Sequence, residues 1–259
     1  MTGQFRQRSA AIPIDFEAVS DYRGFGKELE MTEQAKAYLL LQINDALFPI
    51  GGYSHSYGLE TYIQKGIVTS EQTAAVYIRQ MLLCSLCPNE LLAIRMAWEE
   101  AGKENLENIA ELEEIIHCSR SAREVRQAGE KLGSRFIKTV KALSVDYETP
   151  VFLDYTKLSG PKTHCVAYGV FCAAAGITCQ DALQHYLYSQ ASAMVTNCVK
   201  TIPLSQTAGQ KLLFECHGVF GQVMERLENM EAEELGAAAP GFEIRCMQHE
   251  GLYSRLYMS

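Results

Sequence analysis

From Thr32 onward, apolar residues return at the period of a helix, and strict apolar/polar alternation is missing. Tyr38, Leu39, Leu41, Ile43 and Leu47 form the first run. Phe48-Pro49-Ile50-Gly51-Gly52 interrupts it, because proline and paired glycines do not sustain a regular helix. Thr69 and Gln72 have capping-box spacing, and Val76, Leu83 and Leu86 follow as a stripe. Pro88-Asn89 predicts a stop and a restart, after which Leu91, Leu92, Ile94, Met96 and Trp98 resume the pattern. Leu106, Ile109, Leu112 and Ile116 make another stripe. Ser121 and Glu124 repeat the box ahead of Val125, Ala128, Leu132, Phe136 and Val140, and Thr178 and Asp181 repeat it ahead of Leu183, Leu187, Met194, Val195 and Cys198. The last long stripe is Leu212, Val219, Val223 and Leu227. With no Asn-Gly or Asp-Gly hairpin signal, the prediction is an all-α chain.

Two stretches depart from this pattern. In 144–162, Val151-Phe152-Leu153 reads either as a helix start or as a short extended segment. Cys165 to Gly176 is rich in small residues, with Gly169 inside the periodic pattern. A glycine there costs up to about 1 kcal/mol against alanine, which predicts a central helix closely approached by a neighbour. The organisation expected is a single-domain helical bundle: a flexible leader over 1–31, a helical domain over 32–235 and a C-terminal docking tail over 236–259. The tail ends in two tyrosines, two leucines and one arginine, a composition suited to an interface rather than to a solvated end. Docking on its own domain and docking on a partner are both open, and both can hold at once.

Charge narrows the partners. A net charge of −8 with a pI near 5.3 argues against nucleic acid, which calls for clustered Lys and Arg. No apolar run reaches the roughly 20 residues of a membrane span, and the first thirty residues lack an apolar export signal, so the expected compartment is the cytoplasm. Nine cysteines in such a compartment are expected to be free thiols.

Catalytic and metal signals are weak. Gly160-Pro161-Lys162-Thr163 imitates the end of a phosphate-binding loop, but Tyr155 replaces the required glycine and proline removes a donor. Gly52-Tyr53-Ser54-His55-Ser56 lacks the second glycine of a nucleophile elbow and its strand-turn-helix context. His117-Cys118, His164-Cys165 and Cys216-His217 are adjacent pairs, and neighbours on a helix point about 100° apart. Cys84-x-x-Cys87 has no second pair at zinc spacing, and Cys246 with His249 stands alone. The expectation is no catalytic residue, no resident metal and no cofactor. Arginines 120, 123, 126 and 135 form a cluster that reads as a solvated face or as an anchor for an acidic or nucleotide-hydrolysing partner.

Asp45-x-x-Phe48-Pro49-x-Gly51-x-Tyr53-x-His55-Ser56-x-Gly58-Leu59-Glu60 resembles the N-terminal signature of the UreF family of urease accessory proteins. Further likeness lies in Gly133-x-Arg135-Phe136, in His164-x-x-x-Tyr168-Gly169, in Leu187 to Gln206 with Asn197, Lys200 and Pro203, and in the ending Ser254-Arg255-Leu256-Tyr257-Met258-Ser259. The resemblance implies a helical, non-enzymatic homodimer that joins a UreD/UreH scaffold, the nickel-carrying UreG GTPase and apo-urease. It implies an exposed, partner-binding loop with Phe48, Pro49, Tyr53, His55, Tyr57 and Glu60. It also implies a partner-binding tail with Tyr253, Arg255, Leu256 and Tyr257, and a dimer contact at Gln184 and Tyr188. The competing readings are a GTPase-activating protein with Arg126 or Arg255 as catalytic arginine, and a nickel-binding chaperone.

Overall fold

The computed structural model describes residues 31–259, so the expected leader, all but its last residue, lies outside the described part. Among the described residues there is no strand, and the all-α prediction holds. The helices are α1 (Glu33–Ile43), α2 (Leu59–Gln64), α3 (Glu71–Met81), α4 (Leu92–Gly102), α5 (Leu106–Ser119), α6 (Arg123–Ala142), α7 (Val151–Tyr155), α8 (His164–Ala174), α9 (Cys179–Thr201), α10 (Gln206–Glu228) and α11 (Pro240–His249). Val151-Phe152-Leu153 is therefore a helix start.

The bundle is built around α8. Val166 through Phe171 are all buried, as the small-residue pattern predicts. Gly169 lets α4 lie against it: a Cβ there would stand 2.6 Å from the Ile94 carbonyl oxygen. Phe171 collects Phe136 at 5.5 Å and Phe152 at 5.3 Å between ring centroids, both edge-on. Tyr168 is buried with its hydroxyl donating to the Ala182 carbonyl and accepting from the Asn44 amide, so the core has no unmet polar group at that point. At the start of α8, buried Glu113 accepts from the Thr163 amide (2.8 Å), the Thr163 hydroxyl (2.7 Å) and the Tyr155 hydroxyl.

Three local expectations are corrected. Pro88 neither stops nor restarts a helix: α3 and α4 are joined through a π-helical segment, Leu82–Leu91, with Pro88 inside it. The wider π register absorbs a residue that has no N–H to donate. Asn89 then bonds the Ser85 carbonyl at 2.8 Å and the Ala237 carbonyl at 3.2 Å, which ties the segment to the approach of α11. The cap of α3 is Ser70 paired with Thr73, one residue beyond the expected Thr69 and Gln72. The Ser121–Glu124 box does not form, because Ala122 is the cap residue and its amide is met at 3.3 Å by Glu243 of α11. Thr178 does cap α9, accepting from the Asp181 amide.

Candidate functional site

The segment between α1 and α2 is shaped by conformations that only some residues adopt. Asp45 accepts from the Leu47 amide at 2.7 Å and turns the chain, and Phe48 drops inward against Phe136. Gly51 has φ 88°, and any Cβ there would run into the Arg135 guanidinium, whose Nη1 donates to the Ile50 carbonyl at 3.1 Å. Tyr57 (φ 50°) and Gly58 (φ 81°) then bend the chain into α2. Tyr53 is left 67% exposed at the apex.

The tail is laid across this segment. The Ser259 main-chain oxygen accepts from the Ser56 amide (2.6 Å), the Tyr57 amide (3.0 Å) and the Ser56 hydroxyl (2.8 Å). The Ser259 hydroxyl meets His55 Nδ1 at 2.8 Å, and the Met258 amide donates to the Ser54 carbonyl at 2.8 Å. Glu60 on α2 is buried and accepts from the amides of Leu256 (2.7 Å) and Tyr257 (2.9 Å). His249 joins them: Nε2 lies 3.1 Å from Glu60 and Nδ1 lies 2.7 Å from Glu124 of α6, which also holds Arg255 at 2.7 Å. Carboxylates only accept, so both contacts are complete when the imidazole carries both N–H groups. The two distant motif segments thus form one face, held by a cluster of Glu60, Glu124, His249 and Arg255.

The expected water-facing loop is therefore only partly so. Phe48, His55, Glu60 and Tyr257 are buried, Tyr57 is half-buried and Pro49 is exposed. Phe48 and Tyr257 supply packing and His55 and Glu60 supply acceptors and donors, so these four shape the face from beneath. Its outer surface is Tyr53, Tyr253, Leu256 and Met258, with Tyr253 fully exposed.

Beneath the face lies a cavity of about 110 Å³ lined by His55, Tyr57, Glu90, Arg120, His164 and Asn197, among others. Arg120 is buried between Glu90 and Glu243. The arginine cluster read from sequence is thus not one surface. Arg120 faces inward, Arg123 pairs with Glu250 at 2.6 Å, Arg126 donates to the Arg120 carbonyl, and Arg135 braces the loop. All nine cysteines are free thiols, and burial pushes Cys165 up to about 12. Among the described residues no three His, Cys, Asp or Glu side chains converge as a metal site would require.

Burial holds two histidines neutral. His164 is lowered to about 4 by burial alone, and His55 to about 4 by burial first and then by Lys131 and Arg135. As pH falls from 6.5 toward 4, the unfolded chain takes up a proton that the folded His164 refuses, so stability present above pH 6.5 is lost. The loss is up to about 3 kcal/mol per histidine. Glu113 acts oppositely: burial raises it to about 7, so its cost to the fold grows as pH rises from 4.5 to 7. Phenylalanine fits the aromatic surround of His164, formed by Phe136, Tyr168 and Tyr186. Denaturant titrations of His164→Phe are expected to show an acid loss smaller than wild type by up to about 3 kcal/mol. Parallel pH curves for the two proteins would count against it.

Gln184 and Tyr188 sit exposed on α9. Tyr188 meets Phe220 edge-on, with ring centroids 6.4 Å apart, and the row continues through His217 to Phe214, itself 72% exposed. Sequence reasoning missed this aromatic row on α10, although Phe214 and His217 at i, i+3 carried the signal.

Fold and face together define an all-helical protein with one ordered, apolar-edged surface assembled from two motif segments. The family model for UreF matches residues 68–217. Proteins named urease accessory protein UreF are similar over most of the chain. That of Haemophilus influenzae strain PittGG is 36% identical over 225 residues, covering 85% of this chain and 94% of the relative. Those of Bacillus sp. strain TB-90 and Actinobacillus pleuropneumoniae serotype 5b are 34% and 33% identical, each covering 85% of this chain and 97% of the relative. The chain belongs to the UreF family of urease accessory proteins.

Proposed function

We propose that the protein is a non-enzymatic assembly factor of the cytoplasm that joins a UreD/UreH-type scaffold protein, the nickel-carrying UreG GTPase and apo-urease during urease maturation. The observation that carries this reading is the ordered face: Tyr53, Tyr253, Leu256 and Met258 are held outward on a backbone fixed by side-chain hydrogen bonds. Such pre-organisation reduces the ordering cost of binding, and exposed tyrosines are suited to fill a partner's pockets. The UreD/UreH-type scaffold is the partner assigned to this face. The Gln184 and Tyr188 face with its aromatic row is assigned to a second copy of the chain. Arg126 and Arg255, the candidate catalytic arginines, both bond within the fold, to the Arg120 carbonyl and to Glu124, which favours assembly over catalysis.

The test is a double variant, Tyr253→Asp with Leu256→Asp. Both side chains are exposed, so the fold is expected to be intact, whereas truncation at Pro240 would remove the buried Phe242, Glu243 and Cys246. Affinity for the scaffold protein is expected to fall by about 30-fold or more, the loss of about 2 kcal/mol typical of interface anchors. Unchanged affinity in calorimetry would remove the tail from the docking surface.

A further inference from the structure

We infer that the outer face of α6 is a second, electrostatic part of the docking surface, and that it receives a carboxylate-rich face of the same partner that takes the tail. The inference rests on the proposed function above, and it names a chemistry for a surface which that reading left unused.

Helix α6 carries six basic residues against two acidic ones, in a chain whose net charge is −8. Both acids are engaged inside this protein. Glu124 holds His249 and Arg255, and Glu130 turns toward His117, with its carboxylate 3.2 Å from Nδ1. The bases of the second half are not: Lys131, Arg135, Lys138 and Lys141 are exposed and, among the described residues, meet no carboxylate. Lys131, Arg135 and Lys138 stand at i, i+4 and i+7, on one side of the helix, while Leu132, Phe136 and Val140 face the core. A solvated face in an acidic protein would mix signs; this one is of a single sign over about 15 Å of helix.

The stripe begins at the face already described. Arg135 lies along the loop, donating to the Ile50 carbonyl and packing over Gly51. Lys131 and Arg135 both bear on His55, which bonds Ser259 of the tail. A partner seated on Tyr53 and Leu256 therefore has the bases of α6 beside it, and an acidic flank would complete the contact. Single-sign fields of this kind speed encounter and select partners more than they add affinity.

The test uses the full chain and the scaffold partner. Arg135 is left alone because it braces the loop, and Lys131→Glu, Lys138→Glu and Lys141→Glu are combined, all at exposed positions. Stopped-flow association with the scaffold protein is expected to slow by about tenfold or more at low ionic strength, and the salt dependence of the wild-type rate is expected to flatten. A Tyr253→Ser/Leu256→Ser variant, which adds no charge to the face, should lose affinity while keeping the wild-type salt slope. Equal rates and equal salt slopes for wild type and the triple variant would overturn the inference and leave the tail docking standing. Failure of the wild type to bind the scaffold at all would overturn both readings. Displacement of the partner by single-stranded RNA but not by poly-L-glutamate would also overturn the inference, by giving the stripe to nucleic acid.

Discussion

Replacing Glu60 by alanine is expected to free the last ten residues while the bundle beneath stays folded. Glu60 is buried, and each of its oxygens serves the tail: Oε1 takes the Leu256 amide, and Oε2 takes the Tyr257 amide and His249 Nε2. Alanine leaves two main-chain donors and one imidazole nitrogen without their acceptor in a place water reaches poorly. Removing one side of a buried charged contact costs about 3–5 kcal/mol. That cost is avoided by local opening, since the tail holds few large buried side chains apart from Tyr257. Amide exchange at Leu256, Tyr257, Ser56 and Tyr57 is therefore expected to accelerate by about 100-fold or more, with little change in the midpoint of global unfolding. Glu60→Gln keeps one acceptor but turns an NH₂ toward a donor, so its effect should fall between the two. Continued protection of the Leu256 and Tyr257 amides in Glu60→Ala would show that packing alone holds the tail.

A comparable effect, with the opposite control beside it, is expected from two glycines one helical turn apart on α6. Gly133 lies against the chain entering α8. A Cβ there would fall on the Lys162 carbonyl oxygen and within 2.7 Å of the Thr163 carbonyl carbon. Those are main-chain atoms, and they cannot rotate away. Thr163 is moreover fixed to Glu113 by two hydrogen bonds. Gly133→Ala must therefore separate α6 from α8, disturbing the Phe136–Phe171 contact, and a loss of about 3 kcal/mol or more is expected. Gly129→Ala meets nothing within 4 Å and gains the helix propensity of alanine, about 0.5–1 kcal/mol of stability. Denaturation midpoints moving in opposite directions would bear this out, and a neutral Gly133→Ala would show that the 162–163 segment yields.

Much of this architecture could be read from the sequence, because helical periodicity is a local property. The stripes of α5, α6 and α10, the glycine contact of α8 and the Thr178 cap all follow from residues within a few turns of one another. What could not be read depended on distant partners. Ser121 and Glu124 have the spacing of a box, but Glu124 is drawn away by His249 and Arg255, and Glu243 accepts from the amide of the cap residue Ala122 instead. Pro88 looks like a break, yet Asn89 and the 236–237 segment supply bonds that keep the helix running. The four arginines are close in sequence and face four different surroundings. At the face itself, the motif residues were legible as two segments. Their union was not, because no pattern in the sequence announces that Glu60 serves Leu256 and Tyr257.

That union has a consequence for biosynthesis. The hydrogen bonds that complete the face span more than 200 residues of chain, from His55 and Ser56 to Ser259. Contacts of such separation form late, after the local helices have gathered. On the ribosome, the helical body can assemble while the tail is still being made, but the Ser56 and Tyr57 donors and the Glu60 acceptors stay open until residues 256–259 emerge. A chain released before residues 256–259 thus presents an unfinished surface, and the face is complete only once those four residues have joined it.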